Sequence, residues 1–348
     1  MACRVSICLP NLNAIRFLEE RMRSLFAQSL RDWELVVCDS QSDDGSWEFL
    51  QRFANDPRVR LYSVPRAGLY AGWNECLRRV TGEYVYIAPS DDTCAPTLLE
   101  RLSAALDSHP AVDLAVCRYN RIDEHGNTLA DLESPDVARF LGEWYTRPHQ
   151  RSGAAELIIS LGLGCQWNTM PAVLFRRRLL ERAGFFSTHD SSCADAAWRV
   201  KALLHSDLVY VPERLAAWRW HARQATARMP SNRHELVYRL LRKTLEESEA
   251  AIPATWRASR DWLDRLLFWV RHEYLMQFHL NRTALKRTPR AFFLGCLRAA
   301  AKEPRYLLRR LRTGFSWREP EYGDPVAYVR ELLQRWKVPW PPEPVNLP

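Results

Sequence analysis

No run of about 18 apolar, uncharged residues occurs in the 348-residue chain, so no membrane-spanning helix is expected. The opening stretch, Met1 to Pro10, has too short an apolar part for a signal peptide and ends too abruptly at Pro10; it suits a first strand. The nine cysteines are odd in number and have no paired spacing. That excludes a disulfide framework and a zinc site, and it points to reduced thiols in a cytoplasm. No Gly-x-Gly-x-x-Gly follows the first strand, which removes a dinucleotide-dependent oxidoreductase from consideration.

What is present is a globular composition, 47% apolar, in a length that suits one large domain and a smaller one. The net charge of +8 is unevenly placed: between Arg282 and Arg318 eleven Lys and Arg stand against one acid, Glu303, a net of +10. The remainder is close to neutral. A basic tail calls for an anionic partner such as lipid headgroups or nucleic acid. Leu307, Leu308 and Leu311 alternate with its arginines at helical spacing. This suits a helix resting on anionic lipid, or equally the solvated face of a helical bundle; nucleic acid is not expected.

Up to about residue 220 short apolar runs alternate with helical spacing. Arg4–Leu9, Trp33–Cys38, Val59–Val64 and Val85–Ala88 read as strands, with helices through Phe17–Phe26, Trp47–Phe53, Tyr70–Val80 and Pro96–Leu106 between and after them. Such alternation predicts a mostly parallel, doubly wound α/β sheet, with ligands outside the carboxyl ends of its strands. Those ends carry Pro10 and Asn13, then Asp39, then Arg66 and Gly68, then Asp91 and Asp92. Beyond them, strands are expected at Val112–Tyr119, Pro171–Phe175, Leu208–Val211 and Leu215–Arg219, and helices at Gly153–Leu161, Arg176–Ala183 and Ala196–His205. Ser134–Ser152 reads as an irregular loop over a site. From Ser231 the pattern turns to amphipathic helices, Glu235–Ala250, Trp256–Leu280, Pro289–Ala301 and Arg305–Arg312, with a boundary near Pro230 and a proline-rich, extended end from Val338.

Two adjacent carboxylates at a strand end, Asp91 and Asp92, suit a hard divalent cation that keeps positions open for phosphates; by themselves they also suit a turn or a helix cap. The wider pattern resembles family 2 of the inverting nucleotide-sugar glycosyltransferases, with the GT-A fold. Val36–Ser46 is similar to that family's strand followed by Asp-Gly-Gly-Ser-Thr-Asp-Gly-Thr, and Gly68-Leu69-Tyr70-Ala71-Gly72-Trp73-Asn74 to its Gly-Ile-Tyr-Asp-Ala-Met-Asn. Thr81-Gly82-Glu83-Tyr84 followed by Ser90-Asp91-Asp92 resembles its Thr-Gly-Glu-Tyr and DxD motifs. Ala194-Asp195 resembles the pair that carries the base, and Tyr210-Val211-Pro212-Glu213 with Trp218-Arg219-Trp220-His221 resembles the closing motif.

The resemblance implies a Rossmann-like mixed sheet at residues 1–230, its nucleotide-sugar half at about 1–110 and its acceptor half at about 111–230, with a helical, basic extension at 231–348. It implies a Mg²⁺- or Mn²⁺-dependent transfer from a nucleoside-diphosphate sugar to a glycan or lipid-linked acceptor in surface polysaccharide synthesis, in the cytoplasm or peripherally on the inner face of the membrane. Asp91 would meet the ribose, Asp92 and His221 the metal, and Asp39 a uracil or thymine N3–H. Asp195 would be the base, with Asp190 as the fallback. Pro10, Asn13, Gly68 and Asn74 would line or support the nucleotide loop. Arg66 departs from the family and suits either the diphosphate or a solvated loop charge. Met170-Pro171 also departs, so the acceptor is not carried over. Trp144, Tyr145 and Trp167 are candidates for stacking on sugar rings, though large aromatics are more often core. The competing expectation is a catalytically inactive GT-A-like binding protein.

Overall fold

The computed structural model describes residues 3–130, 134–189, 193–228, 232–278, 280, 282–312, 314–315 and 323–347. Among these, ten strands make one mixed sheet. They are β1 (Val5–Asn11), β2 (Trp33–Asp39), β3 (Val59–Ser63), β4 (Tyr84–Ile87), β5 (Thr93–Cys94), β6 (Leu114–Ile122), β7 (His149–Arg151), β8 (Val173–Arg176), β9 (Leu208–Arg219) and β10 (Glu343–Pro344). The spatial order is β10-β7-β9-β6-β8-β4-β1-β2-β3, with β5 paired to β9 off that path. β3, β2, β1 and β4 are parallel, while β8 runs antiparallel between β4 and β6.

The first half follows local pattern. β1 is buried throughout, as a central parallel strand covered on both faces must be. The helices Ile15–Phe26 and Leu69–Leu77 bury Leu18, Met22 and Leu25, and Trp73, Cys76 and Leu77. Gly82 sits where a Cβ would lie 2.7 Å from the Ser6 amide nitrogen, so the approach to β4 has room only for glycine.

The second half departs from the expectations. Residues 134–152 are ordered as the helix Pro135–Leu141, a 3₁₀ turn Gly142–Tyr145 and β7. The two strands expected around Pro212 are one strand, β9, whose register with β6 shifts at Cys117/Arg118 and at Arg118/Tyr119. Proline donates nothing to a ladder, and the shifts accommodate it. The helix expected over 256–280 is broken into Ala254–Arg257, Trp262–Leu266 and Phe268–Met276. A further helix, Pro325–Arg335, packs on the helix Gly153–Gly162, and β10 adds an antiparallel strand to β7. Residues from Val5 to Val338 share one hydrophobic core, so the extension is built onto the sheet. The boundary at Pro230 lies outside the described residues. No described helix is long and apolar enough to cross a membrane, and all nine cysteines are free.

A polar cluster joins this outer half. Arg151 Nε and Glu156 Oε2 form a fully buried ion pair at 2.6 Å, and Trp167 Nε1 donates to Glu156 Oε1 at 2.7 Å. Arg151 also donates to His149 Nε2 at 2.9 Å, leaving Nδ1–H to donate to the Arg147 carbonyl. Burial and the neighbouring guanidinium push the His149 imidazole down to about 3.

Removing one member of a buried pair strands the other. Glu156→Ala is therefore expected to cost about 3–5 kcal/mol in chemical denaturation, and Arg151→Met with Glu156→Leu to regain most of it. His149 binds a proton in the unfolded chain near its ordinary value of 6.5 but not in the folded one. Stability should thus fall as pH drops from 6.5 toward about 3, at up to about 1.4 kcal/mol per pH unit from this group. His149→Phe should flatten that slope.

Candidate active site

A cavity of about 910 Å³ opens at the carboxyl ends of β1 and β4 and the far end of β9. Pro10, Asn13, Gly68, Asp91, Asp195 and His221 all line it, from five separate stretches of chain. Asp92 lines it as well.

The acidic tip is held by β9. Thr93 and Cys94 pair with Ala217 and Ala216, which brings residues 91–92 alongside 219–221. Asp92 Oδ1 then accepts from the Arg219 amide at 2.8 Å, and the Arg219 Nε donates to the Asp91 carbonyl at 2.7 Å. The same guanidinium reaches the Asp123 carbonyl at 2.9 Å and Glu20 Oε2 at 2.5 Å, and it is 1% exposed. His221 Nε2 donates to Asp91 Oδ2 at 3.0 Å. The structure thus pairs His221 with Asp91, while the backbone of β9 engages Asp92. Burial, with Asp91 beside it, pushes the Asp92 carboxyl well above the usual carboxylate range, against the pull of the Arg219 amide and the Arg21 and Arg219 guanidinium groups. Asp91 and His221 offer carboxylate oxygen and imidazole nitrogen on the cavity wall, a donor set that fits Mg²⁺ or Mn²⁺ sharing its other positions with phosphate oxygens and water. Among the described residues no three His, Cys, Asp or Glu side chains gather into a complete metal cage.

Asp195 is the second residue of the helix Ala194–His205, whose cap is Cys193. Its carboxylate does not cap that helix. Tyr70 Oη donates to Asp195 Oδ1 at 2.8 Å, and burial beside this carboxylate pushes the Tyr70 phenol up, so it stays a donor. The Tyr70 ring stacks on Phe186 at 5.7 Å, and Phe186 on Trp198 at 5.2 Å, which fixes the phenol. Tyr70 stands in a quoted motif, but the motif gave no sign of this partner 125 residues away. Asp190 lies outside the described residues.

Other expected site residues are occupied within the protein. Asp39 is 1% exposed, and its oxygens accept from Asn11 Nδ2 at 2.7 Å, Ser42 Oγ at 2.7 Å and the Ser42 amide at 2.8 Å. It braces the loop whose Ser40 lines the cavity. Arg66 is an exposed loop charge that does not line the cavity; it reaches the Gln41 carbonyl at 2.8 Å and Asp43 at 3.3 Å. Asn74 exchanges two hydrogen bonds with the Phe186 backbone, at 2.8 and 3.0 Å, tying its helix to the loop before Asp195. Of the proposed sugar stackers, Trp167 is core, Trp144 packs on His149 and Tyr145 lies under Arg118. On β6 and β9, Tyr119 and Trp218 do line the cavity. Their signal was period-2 placement on β6 and β9, which needs the register to be known.

Arg219→Met should destabilise the fold on the order of 3 kcal/mol in chemical denaturation, since several charge-assisted bonds are lost from a buried site. Arg219→Lys should not recover it, because a single ammonium cannot span the fork.

Comparison with known proteins gives this geometry its family. The model described as glycosyl transferase family 2 matches residues 6–183, just over half of the chain. A Mycobacterium tuberculosis protein, MT1568, is 26% identical over 249 residues, 68% of this chain and 73% of that protein. Chondroitin synthase of Escherichia coli is 32% identical over 131 residues, but these are 36% of this chain and only 19% of the synthase. Among solved structures, residues 1–349 of S. aureus TarS in complex with UDP-GlcNAc superpose with a TM-score of 0.60 at 17% identity, covering 84% of this chain and 79% of that TarS fragment. The mannosyltransferase PcManGT of Pyrobaculum calidifontis, in complex with GDP-Man and Mn²⁺, gives 0.53 at 19% identity over 97% and 88%. These two share the mixed-sheet GT-A fold expected from the sequence. The chain belongs to glycosyl transferase family 2 and is a glycosyltransferase.

Proposed function

We propose that the protein is a metal-dependent inverting transferase, moving a sugar from a nucleoside diphosphate to a hydroxyl of a glycan or lipid-linked acceptor in polysaccharide synthesis. The observation that carries this is one cavity with the Asp91–His221 pair and the Tyr70-held Asp195 on its wall. UDP and dTDP sugars remain the favoured donors, although Asp39 would have to share its carboxylate between a base N–H and Asn11 or Ser42. The division into a catalytic part at 1–230 and a basic extension at 231–348 belongs to the same reading.

Asp91 and His221 would hold the divalent cation, with Asp92 beside them. The cation, when bound, neutralises charge developing on the departing diphosphate. The acceptor oxygen attacks the anomeric carbon as the bond to the diphosphate breaks, and Asp195 takes the hydroxyl proton, which gives a single inversion. The Tyr70 hydroxyl holds one oxygen of Asp195 and leaves the other for the acceptor. Arg219 acts on the acidic tip from behind, keeping both carboxylates at the end of β4.

A thermal-shift panel with UDP, dTDP and GDP, each with and without Mn²⁺, tests the donor side, since a ligand of the folded state raises the midpoint by mass action. A Mn²⁺-dependent rise is expected, lost in Asp91→Asn and His221→Ala; Asp92→Asn tells whether the second carboxylate shares the ion. Asp195→Asn should keep the shift while transfer falls about 10²–10⁴-fold. No shift with any nucleotide would favour the inactive binding protein, and full transfer in Asp195→Asn would move the base elsewhere.

A further inference from the structure

The helices Pro289–Lys302 and Pro304–Arg312 pack the wrong way round for a simple bundle. The first buries a thin seam of Phe292, Gly295 and Ala299. A Cβ at Gly295 would overlap the Phe278 carbonyl, so the helix backbone lies directly on that turn. Its larger apolar side chains face the other way: Leu297 is 69% exposed and Phe293 60%, with Leu294 exposed beside them. The second helix buries Tyr306 and Arg310, and exposes Leu308 and Leu311. At 3.6 residues per turn, Arg290, Phe293, Leu297 and Ala301 fall on one stripe, and Arg305, Leu308, Leu311 and Arg312 on another. Leu285, just upstream, is exposed too.

The charge on these stripes is of one sign. Lys286, Arg287, Arg290, Arg298, Arg305 and Arg312 are all exposed, and none forms an ion pair with a described residue. The remaining basic side chains here are spoken for. Lys302 pairs with Glu235 at 2.6 Å, and Arg310, 4% exposed, donates to the Leu280 carbonyl at 2.6 and 2.9 Å. Helical apolar residues turned to water, interleaved with unpaired arginines, match the boundary of an anionic bilayer: side chains enter the acyl region while guanidinium groups meet lipid phosphates. Nucleic acid would satisfy the charges and leave Phe293 and Leu297 wet. A second copy would satisfy the leucines and bring like charges together.

We propose that these two helices form a docking surface for an anionic lipid bilayer, with Phe293, Leu294, Leu297, Leu308 and Leu311 inserted and Arg290, Arg298, Arg305 and Arg312 over the phosphates. It deepens the reading of a lipid-linked acceptor given above. Its test reads binding alone, so it stands or falls apart from the transfer reaction.

The full chain is floated with vesicles of phosphatidylcholine, and with vesicles of phosphatidylcholine and phosphatidylglycerol. Flotation only with the anionic vesicles, released by salt, is the expected result. Arg305→Glu with Arg312→Glu should weaken it by about fivefold or more per charge changed. Leu297→Glu with Leu308→Glu should abolish it at an unchanged melting temperature, since both side chains already face water. No flotation, or equal flotation with neutral vesicles, would overturn the proposal. So would a concentration-dependent dimer in light scattering that Leu297→Glu disperses, or leucine variants that float like the parent.

Discussion

Arg219 is the constraint on which the cavity depends. Burying a guanidinium is costly unless acceptors meet it, and here those acceptors are the structure itself: the Asp91 carbonyl, the Asp123 carbonyl and Glu20. The backbone amide of the same residue takes Asp92. One residue of β9 therefore sets the position of the acidic tip, the turn after β6 and the first helix together. Two residues further on, His221 meets Asp91 because the ladder between β5 and β9 has already fixed the register.

The opposite wall is positioned by packing. Tyr70, Phe186 and Trp198 form a continuous aromatic stack, and Asn74 fastens the Phe186 backbone from the neighbouring helix. Such stacked rings have few alternative rotamers, so the Tyr70 hydroxyl reaches Asp195 at small entropic cost. The two walls thus use different physics: buried charge under the acids, close-packed aromatics behind Asp195. The C-terminal extension touches the cavity at Val237, whose helix packs on the helix that carries Asp195. It covers the helix Gly153–Gly162, closes the sheet edge with β10, and turns a basic, apolar face outward.

Much of the parallel half was legible in the chain. Apolar runs bounded by Pro, Asn, Asp and Gly are local signals, and β1 to β4 with their helices lie close to where those signals put them. The stretch from β6 to β9 was less legible. Residues 134–152 are polar and aromatic with no period, yet they fold because Arg151, Glu156 and Trp167 satisfy one another inside the core. The roles of Asp39, Arg66 and Asn74 were open in the sequence for a similar reason: each is a good hydrogen-bonding residue near a strand end, and only the neighbours show how many of its bonds are already used.

Read by itself, the sequence determined the family and the doubly wound mixed sheet, and it nominated residues for the chemistry, because motifs and periodicity are local properties of a chain. The tertiary structure alone decided which of two adjacent acids meets His221, what holds Asp195, which arginines are buried and which leucines face water. Those outcomes rest on contacts such as Tyr70 with Asp195 and Arg219 with Asp92, separated by 125 and 127 residues. Over such distances pairing is set by sheet register and packing, which no local pattern encodes.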